Sequence, residues 1–101
     1  MKQYYIYLTT NLINGKKYIG KHYGELNDDY LGSGNLIKLA INKYGKKNFK
    51  KEILFISSNE QENSQKEKEF IKVFNAVEDK NFYNIHEGGE GGNTIAGWTK
   101  E

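Results

Sequence analysis

Two short runs rich in tyrosine and isoleucine, QYYIYLT at 3–9 and KKYIGKH at 16–22, flank an Asn14-Gly15 dipeptide. Both runs suit half-buried strands, and Asn-Gly favours a tight hairpin turn because both residues tolerate positive φ. The chain is therefore expected to begin with an antiparallel β-hairpin. If Asn14-Gly15 forms a two-residue turn, Tyr7 sits opposite His22. Strand side chains alternate between faces. Tyr5, Tyr7, Tyr18, Gly20 and His22 then share one face, while Tyr4, Ile6, Leu8 and Ile19 share the other. The second set is an ordinary core face. The first puts phenols and an imidazole beside a bare glycine, and a strand glycine often marks close approach by a ligand or another backbone. The plainer reading is that tyrosines suit strands.

Residues 23–33, with Asn27, Asp28, Asp29 and glycines, read as a loop. Leu36, Ile37, Ala40, Ile41 and Tyr44 recur at helical spacing, which predicts a helix over 34–44 that Gly45 stops. KEILFI at 51–56 reads as a third strand. Ser57 and Ser58 are N-cap candidates, with Glu60 three residues after Ser57, for a second helix running to about Phe74. FYNI at 82–85 is a short final element against the core. The order β-β-α-β-α predicts one small layered domain with helices packed on a sheet.

At 101 residues the chain is long enough for one thin core. Cysteine is absent, which excludes disulfide staples and thiolate-zinc sites. No apolar run approaches the length of about 18 residues that spans a membrane, and the apolar run at residues 4–8 of the N-terminus is too short for a secretory segment. A soluble intracellular protein is expected. Fifteen basic and thirteen acidic residues leave a net charge of +2, and every basic residue is lysine. Net charge alone does not argue for nucleic acid. Its distribution is more suggestive, because Lys43, Lys46, Lys47, Lys50 and Lys51 cluster while acids gather downstream.

The second helix breaks the packing rule. Phe70, Ile71 and Phe74 define its inward stripe, and Glu67 lies in line with them. A carboxylate on that stripe is costly unless something pairs with it. Either Glu67 reaches past the sheet edge to a lysine, or it is a metal ligand or catalytic acid. One carboxylate can hold a hard cation such as Mg²⁺ that keeps most of its waters. It cannot build a two-metal cluster.

These residues match a known pattern. YIY at 5–7 and YIG at 18–20 resemble the two halves of the GIY-YIG endonuclease signature, with that family's spacing from Tyr7 to Tyr18. YLGSGNLIKLAINKYGKKNFKKEIL at 30–54 and EKEFI at 67–71 look like the phage and viral homing-endonuclease branch. FYNI matches the family's closing motif, with Asn84 at its asparagine. The resemblance covers roughly residues 4–94. It implies an α+β fold, a small three-stranded antiparallel sheet built on the N-terminal hairpin and flanked by helices. It implies a nuclease domain over 1–94, with 95–101 a tail or the start of a linker. The implied activity is hydrolysis of DNA phosphodiesters with one divalent ion, Mg²⁺ or Mn²⁺, held by Glu67. Tyr7 or Tyr18 would position or deprotonate the attacking water, and Asn84 would belong to the site. DNA is the implied partner, with no small-molecule cofactor and no membrane, and a viral chain would act in the host cytoplasm or nucleus. A monomer is expected.

Two positions depart from the family. The opening glycine of the signature is Tyr5, and the family's usual arginine is missing, since the chain has none. Lys21 or His22 is the first choice to replace that cation, and Lys38 the next. His22 is alternatively a partner of Tyr7 in the base role. Lys46 and Lys47 suit contacts to a phosphate backbone, or belong to an ordinary solvated loop. HEGGEGGNT at 86–94 lacks the Lys-Ser/Thr of a phosphate-cradling loop and reads as a tail or linker. Two rivals stay open. One is a nucleic-acid-binding module that has lost catalysis with its arginine. The other is a small interaction domain, which the near-neutral charge favours.

Overall fold

The computed structural model describes residues 1–85. Strands β1 (Gln3–Asn11) and β2 (Lys17–Gly24) form the hairpin. Helix α1 (Asn35–Tyr44), a single 3₁₀ turn (Lys46–Asn48), strand β3 (Phe49–Ser57) and helix α2 (Glu60–Val73) follow. The sheet order is β2-β1-β3 with both pairings antiparallel, so the fold is α+β, a three-stranded antiparallel sheet with two helices. The tail at 95–101 and the glycine-rich segment from His86 lie outside the described residues. No helix among the described residues is long and apolar enough to cross a membrane.

The hairpin register differs from the two-residue-turn expectation. Tyr7 pairs with Gly20, and His22 pairs with Tyr5. The connection is longer because Asn11 organises it. Its backbone N–H donates to Lys16 O (2.8 Å), its carbonyl accepts from Gly15 N (2.8 Å), and its side-chain oxygen accepts from Ile13 N (2.9 Å). Asn14-Gly15 sits inside that loop, with Gly15 at φ 79°. The slip is two residues, so both faces keep their members; a slip of one would have exchanged them.

On one face Ile6, Leu8 and Ile19 meet Ile71 and Ala76, with Leu54, Phe55, Phe70, Val77 and Phe82 around them. Full burial of each such aliphatic side chain is worth about 1.5–3 kcal/mol. This cluster fixes α2 on the sheet. Asn59 caps α2, accepting from Glu62 N at 2.8 Å, while Glu62 reaches back to Ser58 N at 2.6 Å. The cap therefore lies one residue beyond the serine pair, because Ser57 is used elsewhere, donating its hydroxyl to buried Asn63 (2.8 Å). The helix stripes are also narrower than expected. Leu36 and Phe74 are exposed, and Ile37, Ala40 and Ile71 carry the packing.

The other face holds a second core, in which Ile37 and Ala40 of α1 meet Leu31, Phe49 and Tyr83, with Tyr18 against them. Two further features shape this face. β3 bulges at Leu54, since Ile6 pairs with Phe55 but Tyr7 pairs with Ile53. An unbroken register would put Glu52 opposite Thr9; the bulge puts Lys51 there instead. Residues 81–84 close the outer edge of β2. Lys17 N donates to Asn81 O (2.9 Å), Tyr83 N donates to Lys17 O (2.7 Å), and Lys17 bridges to Phe82 in parallel. The final element is thus an edge cover with one bridge.

Candidate active site

The β1–β2 alternation brings Tyr5, Tyr7, Tyr18 and His22 to one face, over which residues 25–34 fold back. Tyr5 and Tyr7 are buried in the strand facing that loop. Gly20 opposite Tyr7 has no side chain, and a Cβ there would fall on the Tyr7 phenol and lie 3.0 Å from the Tyr18 ring. The bare position is what lets the two rings approach, with centroids 6.2 Å apart.

Glu67 comes from α2 and is 9% exposed. Its charge reaches both rings. Burial is the main reason that the Tyr7 phenol is raised far above its ordinary value, and Tyr18, Tyr30 and Glu67 add to it. The Tyr18 phenol is pushed up to about 12, by burial first and then by Glu67 and Tyr30, against a hydrogen bond from the Gly34 backbone. The charge of Glu67 on α2 is thus felt by the phenols of Tyr7 on β1 and Tyr18 on β2, both of which stay protonated at neutral pH.

Asn84 stands behind this group. Its side-chain oxygen accepts from Ile19 N (2.9 Å) and its amide donates to Ile19 O (2.8 Å). Both ends of the amide thus serve the backbone between Tyr18 and Gly20, completing the edge ladder where residues 81–83 end.

The lysines named from sequence scatter. Lys21 points to the α2 side and donates to Ser64 Oγ (2.6 Å), one turn before Glu67. Lys38 and Lys47 are exposed, and Lys46 is exposed with Asp29 at 3.1 Å. Lys21 and His22 are neighbours in one strand, so they part to opposite faces.

Sequence reasoning missed a cluster beside the tyrosines. Lys51 carries its Nζ into this face with its side chain 8% exposed, donating to Asp28 Oδ1 and to the Tyr5 hydroxyl (2.8 Å). Tyr5 donates to the same Asp28 oxygen (2.9 Å), as does Tyr30 N (3.3 Å). Burial raises the Asp28 carboxyl, but these donors outweigh it and hold the group below its usual range. His22 Nε2 lies 3.4 Å from the other oxygen, Asp28 Oδ2. The imidazole stacks on Tyr30 at 3.6 Å and 6°, and Tyr30 meets Tyr7 edge-on at 5.8 Å. Local pattern gave no sign of Asp28 or Tyr30 beyond their place in a polar loop. Lys51 lay in the lysine cluster, but only the bulge decides its face.

The arrangement has two parts. One is a buried carboxylate beside two protonated phenols. The other is an imidazole held against a carboxylate that a buried ammonium neutralises. Among the described residues no three His, Cys, Asp or Glu side chains form a group that could hold a metal.

Comparison with known proteins gives the chain relatives. It is 50% identical over 90 residues to the "Putative endonuclease segE" of Enterobacteria phage T4, covering 88% of this chain and 43% of that protein. To the same phage's "Endonuclease segA" it is 43% identical over 95 residues, 93% of this chain and 42% of that one. To its "Putative endonuclease segB" it is 44% identical over 90 residues, 88% of this chain and 40% of that one. No protein-family model matches the chain, and no solved structure matches it. The chain spans about two fifths of the length of the curated relatives it matches. Along most of its own length, it is related to phage T4 proteins that carry the name endonuclease.

Proposed function

We propose that this chain is the catalytic domain of a divalent-metal-dependent DNA endonuclease of GIY-YIG type. The observation that supports the reading is that the Glu67 carboxylate acts electrostatically on both the Tyr7 and Tyr18 phenols, which approach each other over Gly20, in a chain related to phage endonucleases. The donor set fits one hard, largely hydrated ion, Mg²⁺ or Mn²⁺, on Glu67, with the substrate phosphate supplying further oxygens. Bound there, the ion supplies positive charge to the scissile phosphate and its leaving oxygen.

The chain's own residues do the rest. Tyr7 and Tyr18, held as neutral phenols, orient the attacking water and a phosphate oxygen by hydrogen bonding. Asn84 is a positioning residue, holding the β2 backbone next to Tyr18 through both hydrogen bonds to Ile19. Lys21, beside Ser64, takes the phosphate from the α2 side, as a point charge where the family uses an arginine fork. Lys38, Lys46 and Lys47 meet the DNA backbone farther out. Tyr5, the departure from the signature, contributes its hydroxyl to Asp28 and Lys51.

The test is incubation of supercoiled plasmid with Mg²⁺, Mn²⁺ or chelator. Nicking that requires the ion supports the proposal. A mobility shift without nicking, weakening steeply with salt, supports instead the binding module that the missing arginine favours. Neither signal leaves the interaction domain.

A further inference from the structure

We propose that Asp28 is a positioning residue that holds the His22 imidazole by Nε2, so that Nδ1 becomes the basic nitrogen that takes the proton of the attacking water. The proposal deepens the endonuclease reading and rests on it.

The geometry begins with how Asp28 is divided. Tyr5 OH, Lys51 Nζ and Tyr30 N all donate to Oδ1, while His22 Nε2 faces Oδ2 at 3.4 Å. Oδ1 is thus committed to the scaffold, and Oδ2 is turned to the imidazole. The ring is fixed on two further sides, stacked on Tyr30 (3.6 Å, 6°) and edge-on to Tyr5 (5.7 Å, 77°). Gly24 completes the arrangement, because a Cβ there would crowd both Asp28 Oδ2 and His22 Nε2, the latter at 2.9 Å. The strand omits a side chain where the pair meets. A partly buried Lys–Asp pair adds little stability over apolar residues, and Lys51–Asp28 would be complete without an imidazole set against its second oxygen.

In a neutral imidazole one nitrogen carries the proton and the other accepts. Nε2–H directed at a carboxylate leaves the Nδ1 lone pair as the base. The groups facing the ring are Asp28 and Tyr30 from the loop, Tyr5 from β1, Lys51 from β3 and Lys2 at the N-terminus. Burial is the largest influence and disfavours the charged ring. Lys51 and Lys2 act the same way, Asp28 opposes them, and the net places His22 below its usual value, so it is a free base at neutral pH. In the reaction the water oxygen bonds to phosphorus as the P–O bond to the sugar's leaving oxygen breaks. The water's proton passes to Nδ1, and the leaving oxygen takes a proton from solvent.

The test uses nitrogen NMR of the histidine side chains in the full chain, with His22→Gln to assign signals, alongside plasmid nicking. The natural protein is expected to show His22 protonated at Nε2. In Asp28→Asn the three donors keep the amide oxygen at the Oδ1 position and turn the NH₂ toward the ring. His22 should then switch to Nδ1–H, and nicking should fall at least about 100-fold, the low end for loss of a general base. Gly24→Ala, which crowds the same contact, should mix the tautomers if Asp28→Asn does not fold. An Nδ1–H ring in the natural protein overturns the proposal without any variant. Nicking by the natural chain, with Asp28→Asn keeping its tautomer or its rate, overturns the positioning role alone. A natural chain that never nicks overturns the endonuclease reading, and the base role with it.

Discussion

On the α2 side of the sheet, Ile6, Leu8 and Ile19 meet Ile71 and Ala76 in an apolar cluster. On the opposite side, Tyr5, Tyr7 and His22 meet a loop through hydroxyls, a carboxylate and a buried ammonium. The same two strands supply both faces, one residue out of phase. The first face is explained by removal of apolar surface from water. The second face has a small core of its own, Leu31, Ile37, Ala40, Phe49 and Tyr83, but its Asp28, Lys51 and His22 are not explained that way, because an ion pair and an imidazole at partly buried positions return little net stability for their desolvation. Under the proposed function, substitutions on the two faces should fail in different ways.

The largest stability effect is expected on the apolar face. Ile71→Ala, at a position 4% exposed, should cost about 2–5 kcal/mol, read by denaturant unfolding. Nicking by that variant should fall only with its folded fraction. Asn84→Ala comes next. It strips both partners from the Ile19 backbone, and each unsatisfied buried group costs about 1–3 kcal/mol. It sharpens the comparison because Asn84 serves both faces, so stability and turnover should drop together.

Tyr7→Phe should behave in the opposite way. Only a hydroxyl goes, for about 0.5–1.5 kcal/mol, yet nicking should be lost. If the variant instead melts like Ile71→Ala, Tyr7 belongs with the core and the contrast between the faces fails.

The smallest effects are pH-dependent and confined to the polar face. The His22 pKa is lowered on folding, so the unfolded chain binds its proton first. That contribution is full above the unfolded value of about 6.5 and declines as pH falls toward the folded value. Asp28, also lowered, adds a loss in the same direction below about 4. Tyr18 acts at the other end. Its phenol is raised to about 12, so its contribution is full below about 10 and disappears as pH rises through the folded value. Melting temperature against pH should show both declines, and His22→Gln should remove the portion near pH 6.

How much of this was legible follows from which signals are local. Alternation alone assigned Tyr5, Tyr7, Tyr18, Gly20 and His22 to one face, and that assignment survived a wrong register because the slip was even. The pairing of Tyr7 was not legible, since the loop length depends on Asn11 bonding to Ile13, Gly15 and Lys16. The burial of Glu67 was readable from the helical stripe. Lys51 was hidden by a bulge at Leu54 that no residue type there announces. Asp28 was hidden because a loop residue acquires its meaning from partners 23 residues away in either direction, Tyr5 and Lys51.

The central claim is that Glu67 of α2, whose charge is felt by the Tyr7 and Tyr18 phenols, anchors a catalytic site with them. Its most direct test is the rate of Mg²⁺-dependent plasmid nicking by Glu67→Gln beside the natural chain, at matched folded fraction by circular dichroism. A near-isosteric amide keeps the shape and removes the charge that would hold the ion. The account predicts a variant that melts normally and does not nick at any Mg²⁺ concentration at which the natural chain does. Nicking by Glu67→Gln at the natural rate would contradict it.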